Sequence, residues 1–340
     1  MKPQEEKQVL SEARDLSVTY QTRVGPVSAV DKVSFDIYRG EILGLVGESG
    51  CGKSTLGKAL MRMIAPPGKV EGHHYFNGED VMTYNDQQLR DFRGRCISMI
   101  FQDPMTSLNP VQRVDEHVIE AIQVHEPKTK KESALGRAKS LIERLGIQER
   151  RLNSYPHQLS GGMRQRVMIG LGLVLNADLI VADEATTSLD VIVEAQLVDQ
   201  LKDIRSEFGV SILMITHNIA LVAQIADRLA VMYAGHIVEL GSVYDVFDEP
   251  KHPYTRGLLQ SVPTIKLDER KELFKMAGEP PNLTHPPSGC RFHPRCPKAM
   301  PICSQRKPEL LAIGDNNQQV NCWLYQDHPE KELQPNEVRI

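Results

Sequence analysis

An apolar run that ends in a glycine-rich loop and passes into helix-like sequence constrains this chain more than any other feature. EILGLVG (41–47) leads into GESGCGKST (47–55), and LGKALMRMI follows. The loop fits G-x-x-x-x-G-K-[ST], with Gly47, Gly52, Lys53 and Ser54 at the fixed positions. A chain that wraps a phosphate must turn successive N–H groups inward, which needs glycine's freedom in φ. A helix beginning at the phosphate adds roughly half a positive charge from its dipole. Lys53 supplies a full charge for the β and γ phosphates, and Ser54 a hydroxyl for Mg²⁺. Strand, loop and helix in this order demand an α/β layer and point to a nucleotide.

DLIVAD (178–183) and SILMITH (211–217) are further short apolar runs, each followed by helix-like sequence. Runs apolar on both faces are expected as buried parallel strands. LAVMYAGHIVELG (229–241) predicts two strands around an Ala234-Gly235 turn, and LSVTY (16–20) with VSFDIY (33–38) a small antiparallel sheet. Residues 91 to 176 show one strand-like run, CISMIFQ (96–102), among helix patterns. Ala138, Leu141, Ile142 and Leu145 form one helix face closed by Gly146; Met163, Val167, Leu171 and Val174 form another. The basic run Lys128, Lys130, Lys131 is expected as a solvated loop.

Three segments narrow the chemistry. Asp183 closes a buried strand with Glu184 beside it. The pair fits a carboxylate that holds Mg²⁺ through water and a general base for an attacking water, although an acidic pair at a strand end also serves as a helix cap. Ser160, Gly161 and Gly162 in LSGGMRQR (159–166) open an amphipathic helix. Alone Ser160 reads as an N-cap, yet a hydroxyl and bare N–H groups at a helix start also make an anion site. His217 and Gln102 each follow an apolar run, where a lone polar residue is commonly structural.

Composition excludes several classes. Lys plus Arg is 40 and Asp plus Glu 44, a net charge of −4, too balanced for a chain that coats nucleic acid. No run approaches the roughly 18–20 apolar residues of a membrane span, and MKPQEEKQVLSEARD lacks the apolar core of a secretory signal. A cytosolic chain is expected, where cysteines report metal sites rather than disulfides.

Composition shifts near residue 250. Eleven of the 21 prolines fall between Pro250 and Pro308, and Cys290, Cys296, Cys303 and Cys322 lie beyond it. This places a nucleotide-binding domain over 1–250, with a helical part about 91–176, and an extension over 251–340 held by something other than regular packing. Intervals of five, six and eighteen residues between the cysteines lack the C-x₂₋₄-C pairs usual for zinc; a four-thiolate iron–sulfur cluster tolerates wider spacing. Metal binding would then supply folding free energy. Cys51 is read as a loop-filling residue and Cys96 as a strand residue.

GESGCGKST, FQDP, LSGGMRQR, LIVADE, SLD (188–190) and ITH (215–217) occur in the order and at about the spacing of the ABC-type ATPases, a family this chain resembles over about 12–250. The resemblance implies a P-loop NTPase (RecA-like) core with an antiparallel β subdomain and an inserted helical subdomain. It implies a head-to-tail dimer that sandwiches two ATP molecules, with Gly47, Ser49, Gly50, Cys51, Gly52, Lys53, Ser54 and Thr55 of one copy facing Ser160, Gly161 and Gly162 of the other. It assigns Tyr20 to adenine, Gln102 to Mg²⁺, Asp190 to the dimer interface and His217 to the γ-phosphate, beside Asp183 for Mg²⁺ and Glu184 as base. Ala185 departs from the proline common there, which leaves the turn slightly freer.

Two triphosphates between two subunits repel unless both sides supply positive charge, so loss of the γ-phosphate opens the dimer. Glu184→Gln is expected to bind ATP and stall hydrolysis. KHPYTRGLLQSVP (251–263) with the four cysteines resembles the C-terminal extension of ATPase subunits of dipeptide and oligopeptide importers, a subfamily that also serves oligosaccharide and nickel systems. That resemblance implies a [4Fe–4S] cluster on Cys290, Cys296, Cys303 and Cys322. It implies two separate membrane permease subunits docking near Gln102 to Asn109, a second ATPase subunit (a related chain or another copy), an extracytoplasmic substrate-binding protein, no nucleic acid, and a peripheral place on the cytoplasmic face of the inner membrane. The rival from another class is an iron–sulfur sensor whose ATPase cassette is regulatory.

Overall fold

A computed structural model describes residues 8–101, 107–184, 191–261, 276–314 and 317–328. In chain order the strands are β1 (Val9–Thr22), β2 (Gly25–Tyr38), β3 (Ile42–Val46), β4 (Gly68–Phe76), β5 (Glu79–Asp80), β6 (Ile97–Ile100), β7 (Leu179–Asp183), β8 (Ser211–Thr216), β9 (Arg228–Tyr233), β10 (His236–Ser242), β11 (Leu310–Ile313) and β12 (Gln318–Asn321). The helices are α1 (Lys53–Leu60), α2 (Asp86–Arg95), α3 (Val114–His125), α4 (Lys131–Arg144), α5 (Gly161–Leu173), α6 (Val191–Phe208), α7 (Ile219–Ile225), α8 (Val243–Asp248), α9 (Pro253–Gln260) and α10 (Pro301–Gln305). The chain divides into two compact units, the first taking the described residues within 1–12, 36–42 and 74–216 and the second those within 13–35, 43–73 and 217–340.

In the first unit β6, β7 and β8 run parallel in that order, with Ile97 opposite Leu179 and Leu179 opposite Ser211. Every residue of the three strands is buried, as expected of a sheet covered on both faces. Helix α4 buries Ala134, Ala138, Leu141 and Ile142, and Gly146 at φ 67° follows its end. Helix α5 departs from the expected stripe. Met163 and Leu171 are only half-buried, whereas Gln165, Val167, Met168, Ile169, Gly170, Gly172 and Leu173 are covered. A helix enclosed on most sides loses the one-sided pattern on which such a reading depends. Cys96 is not a strand residue: it caps the end of α2, immediately before β6. Lys128, Lys130 and Lys131 are exposed, the last as the first residue of α4.

In the second unit β2, β1 and β4 lie side by side, and the other sheet runs β11-β12-β10-β9-β3. β3 and β9 are parallel, with Val46 opposite Val231. β9 and β10 form the expected hairpin through Ala234 (φ 46°) and Gly235 (φ 86°). The predicted boundary near residue 250 falls inside this unit, and regular packing does hold the extension. β12 adds antiparallel to β10, with Glu239 opposite Val320. Tyr254 of α9 and Phe292 join Tyr233, Val231, Leu229 and Val46 in one buried cluster, with Cys290 and Cys296 packed against it. The buried carboxylate of Glu239 accepts from the N–H groups of Lys251 (2.7 Å) and His252 (3.0 Å) and from Gln318 Nε2 (2.7 Å). It thus ties the entry of α9 and strand β12 to β10. His252 caps α9 by accepting from Tyr254 N–H at 3.0 Å, and burial pulls its pKa down to about 3, so the ring is neutral.

Candidate nucleotide site

β3 delivers the chain to Gly47 at φ 157°, Gly50 at φ 76° and Gly52 at φ 108°. Two of these positions also have no room for a side chain. A Cβ on Gly47 would lie 2.1 Å from the Met232 carbonyl oxygen, and one on Gly52 2.2 Å from that of Ala29. The loop is drawn against the β9–β10 hairpin by a hydrogen bond from Gly235 N–H to the Cys51 carbonyl at 2.8 Å. Lys53, 4% exposed, donates from Nζ to the carbonyls of Gly47 (2.8 Å) and Glu48 (3.0 Å), which centres its ammonium on the loop. Cys51 is buried within the loop, as its reading as a filler requires, and burial raises its thiol pKa. Ser54 and Thr55 are half-buried in the first turn of α1, while Ser49 and Gly50 are exposed.

The loop is also gripped by groups the sequence does not reveal. Glu48 N–H donates to the Tyr254 hydroxyl at 3.0 Å. The Glu48 carboxylate accepts two hydrogen bonds from Arg295, Nη1 to Oε2 at 2.8 Å and Nη2 to Oε1 at 3.1 Å. Arg295 further donates to Tyr233 Oη (3.3 Å) and the Ala277 carbonyl (3.0 Å). Burial opposes its charge, but the bonds to Glu48 and Tyr233 outweigh that and raise its pKa. Glu48 fills an unspecified position of the loop motif, so nothing in the pattern marks it.

Tyr20, near the end of β1, is half-buried, and a Cβ on Gly68 would touch its ring at 2.8 Å. His217 follows β8 and is exposed; Asn218 beside it caps α7 by accepting from Leu221 N–H. Loop, Tyr20 and His217 all belong to the second unit.

The first unit carries the other predicted residues. Asp183 is buried at the end of β7, and Glu184 follows at φ 46° with its N–H bonded to the Ile215 carbonyl at 2.8 Å. A left-handed non-glycine residue costs about 1–2 kcal/mol, and here it turns the chain at the acidic pair. Ser160 caps α5 by accepting from Met163 N–H at 3.3 Å. Ser160 and Gly161 are exposed, and a Cβ on Gly161 would touch nothing within 4 Å. Arg164 turns its guanidinium back to the Leu159 carbonyl at 2.6 Å. Gln102, Ala185 and Asp190 lie outside the described residues.

In the extension, Cys303 and Cys322 are buried and Cys290 and Cys296 half-buried. Burial pushes the Cys290 thiol up to about 11 and that of Cys322 to about 12, and each also feels the nearby thiols of Cys296 and Cys303. The loop folds back on itself through Cys290 N–H to the Cys303 carbonyl at 2.8 Å, and Met300 N–H donates to Cys303 Sγ at 3.5 Å. Four thiols thus share one neighbourhood. Among the described residues no three His, Cys, Asp or Glu side chains converge as the ligands of a single ion do, where each sulfur sits about 2.3 Å from one zinc.

Residues 30–187 match the family model described as ABC transporter, and residues 238–303 the one described as oligopeptide/dipeptide transporter, C-terminal region. The oligopeptide transport ATP-binding protein OppD of Bacillus subtilis (strain 168) is 44% identical over 95% of this chain and 91% of its own length. OppD of Salmonella typhimurium is 45% identical over 88% and 90%. Among solved structures, the dimer of an ATP-binding cassette in a post-hydrolysis state with ADP and Pi matches with TM-score 0.62 at 26% identity, covering 69% of this chain and 99% of that one.

Proposed function

The chain belongs to the ABC transporter ATP-binding family, and from that premise we propose that it is the ATP-hydrolysing subunit that powers import of dipeptides and oligopeptides. One observation carries the cargo reading: two separate stretches of the chain match the cassette and the peptide-transporter C-terminal region, and the identity to peptide-transport ATP-binding proteins runs through both. No helix among the described residues is long and apolar enough to cross a membrane. Two membrane permease subunits are therefore proposed as separate chains, with a second ATPase subunit and an extracytoplasmic binding protein completing the assembly on the cytoplasmic face of the inner membrane.

ATP is held through its phosphates by the loop from Gly47 to Thr55, with Tyr20 proposed against the adenine. Lys53 brings a full positive charge to the β and γ phosphates, and the start of α1 adds its dipole. Ser54, Gln102 and Asp183 would hold Mg²⁺, which neutralises phosphate charge. Glu184 accepts the proton of the water that attacks the γ-phosphorus, and His217 steadies the γ-phosphoryl group. Ser160, Gly161 and Gly162 of the second subunit close over the same phosphate, with Asp190 at the seam. Once the γ-phosphate has left, the second helix start loses its anion and the pair opens.

The extension is proposed to hold a [4Fe–4S] cluster on Cys290, Cys296, Cys303 and Cys322. What supports it is the all-thiol donor set, in which Cys322 feels the charges of Cys290, Cys296 and Cys303. The cluster's role in this reading is to staple a proline-rich segment. Iron analysis with broad visible absorbance is the expected result, and a colourless zinc protein overturns it.

The transport reading is tested by reconstituting the chain with its permeases in liposomes. Peptide-loaded binding protein is expected to stimulate ATP hydrolysis severalfold, and Glu184→Gln to abolish the stimulated rate while retaining ATP. Hydrolysis that ignores loaded binding protein and follows cluster redox state instead selects the sensor reading.

A further inference from the structure

We infer that Arg295, in the loop between the first two cysteines of the extension, is a positioning residue of the nucleotide site, acting through Glu48. This rests on ATP being bound at the loop of Gly47 to Thr55.

Glu48 is where two sets of contacts meet. On its inner side the backbone carbonyl receives Lys53 Nζ at 3.0 Å. On its outer side Tyr254 Oη takes its N–H at 3.0 Å, and the Arg295 fork takes both carboxylate oxygens at 2.8 and 3.1 Å. The Arg295 side chain is 6% exposed and that of Glu48 24%, so this pair is shielded from the solvent screening that weakens surface ion pairs. A bidentate fork fixes orientation as well as distance, and it therefore fixes the peptide unit against which the lysine is set.

Charge adds a second effect in the same direction. Glu48 places a carboxylate on a loop whose ligand is a polyanion. Paired with Arg295 it is neutralised; unpaired it repels the phosphates. Phe292, packed edge-on to Tyr233 at 5.1 Å, and Arg295 are both carried by the six-residue step from Cys290 to Cys296. Whatever orders that step orders the guanidinium, so the extension forms part of the wall of the ATP site.

The test is a cycle on the full-length chain, read as the dissociation constant of a fluorescent Mg–ATP analogue and as the KM and kcat of ATP hydrolysis. Arg295→Ala is expected to weaken binding about five- to tenfold, chiefly in KM, within the range of coupled neighbours. Arg295→Lys keeps the charge without the fork and is expected to lose about twofold. Glu48→Gln/Arg295→Ala is expected to bind within about twofold of Glu48→Gln alone, because the stranded carboxylate is gone. A role confined to folding gives additive losses and no such recovery. Additive losses, or wild-type affinity in both Arg295 variants, overturn the inference. Should Arg295→Ala not fold, Arg295→Lys in the two Glu48 backgrounds decides in the same way. Lys53→Ala is the reference: if it also binds normally, the ATP site itself is misplaced; if it alone loses binding, only the role of Arg295 fails.

Discussion

Two helices of this chain start on glycine-bearing turns assigned to ATP, and they are built in opposite ways. At α1 Gly47, Cys51 and Lys53 of the loop are buried, the lysine is folded onto two of the loop's own carbonyls, and Tyr254 and Arg295 grip it from the extension. At α5 Ser160 and Gly161 stand exposed, with one capping hydrogen bond of 3.3 Å from Met163 N–H. The first start is finished within its own chain. The second has the polarity of an anion site and open space around Gly161. That asymmetry fits the proposed head-to-tail pair, in which a firm cradle would select the nucleotide and an open tip would meet its last phosphate.

The largest expected effect breaks the cradle. Lys53→Ala removes a buried charge from the phosphates and is expected to lower ATP affinity about 100-fold, with turnover below detection; equilibrium titration with a fluorescent ATP analogue measures it. A smaller effect separates cradle from tip. Ser160→Ala is expected to leave ATP affinity of the isolated chain within about twofold and to cost about 1 kcal/mol of folding stability as a lost cap. Hydrolysis by the assembled pair should fall about tenfold. If affinity of the isolated chain falls with it, the two starts are not separate halves.

The smallest effect tests how far the cradle depends on the extension. His252 is neutral in the fold, with its pKa pulled down to about 3 by burial, against about 6.5 in an unfolded chain. Its contribution to stability is whole above about pH 6.5 and is lost as pH falls from there toward 3, by about 1 kcal/mol per pH unit. His252→Asn keeps a capping acceptor without the titration. Urea unfolding at pH 7 and pH 5 is expected to show a shallower loss for the variant; equal slopes show that the ring takes up its proton in the fold as it does in the unfolded chain.

What was legible in the sequence follows from where burial is two-sided. ILGLV, LIVAD and SILMIT are buried throughout and apolar but for Asp183, Ser211 and Thr216 at their ends, because the sheet is covered on both faces, and the glycines of the loop and the Ala234-Gly235 turn announce backbone geometry directly. The covered face of α5 differs from its apolar stripe because Gly170 and Gly172 pack closely against neighbouring side chains and Gln165 is buried, none of which an apolar stripe records. β12 reads QQVN and is a strand because β10 offers it an edge. The Arg295–Glu48 pair spans 247 residues, and no local pattern relates its two ends.

The seating of β12 on β10 decides where this chain can be cut. β10 is covered over Ile237–Gly241, with β9 on one side and β12 on the other. A gene shortened at the proline-rich junction after residue 250 would strip the outer neighbour and leave Ile237, Val238 and Leu240 along a bare row of amide and carbonyl groups. Such a rim invites stacking between molecules, so the trimmed ATPase domain is expected to clump in solution.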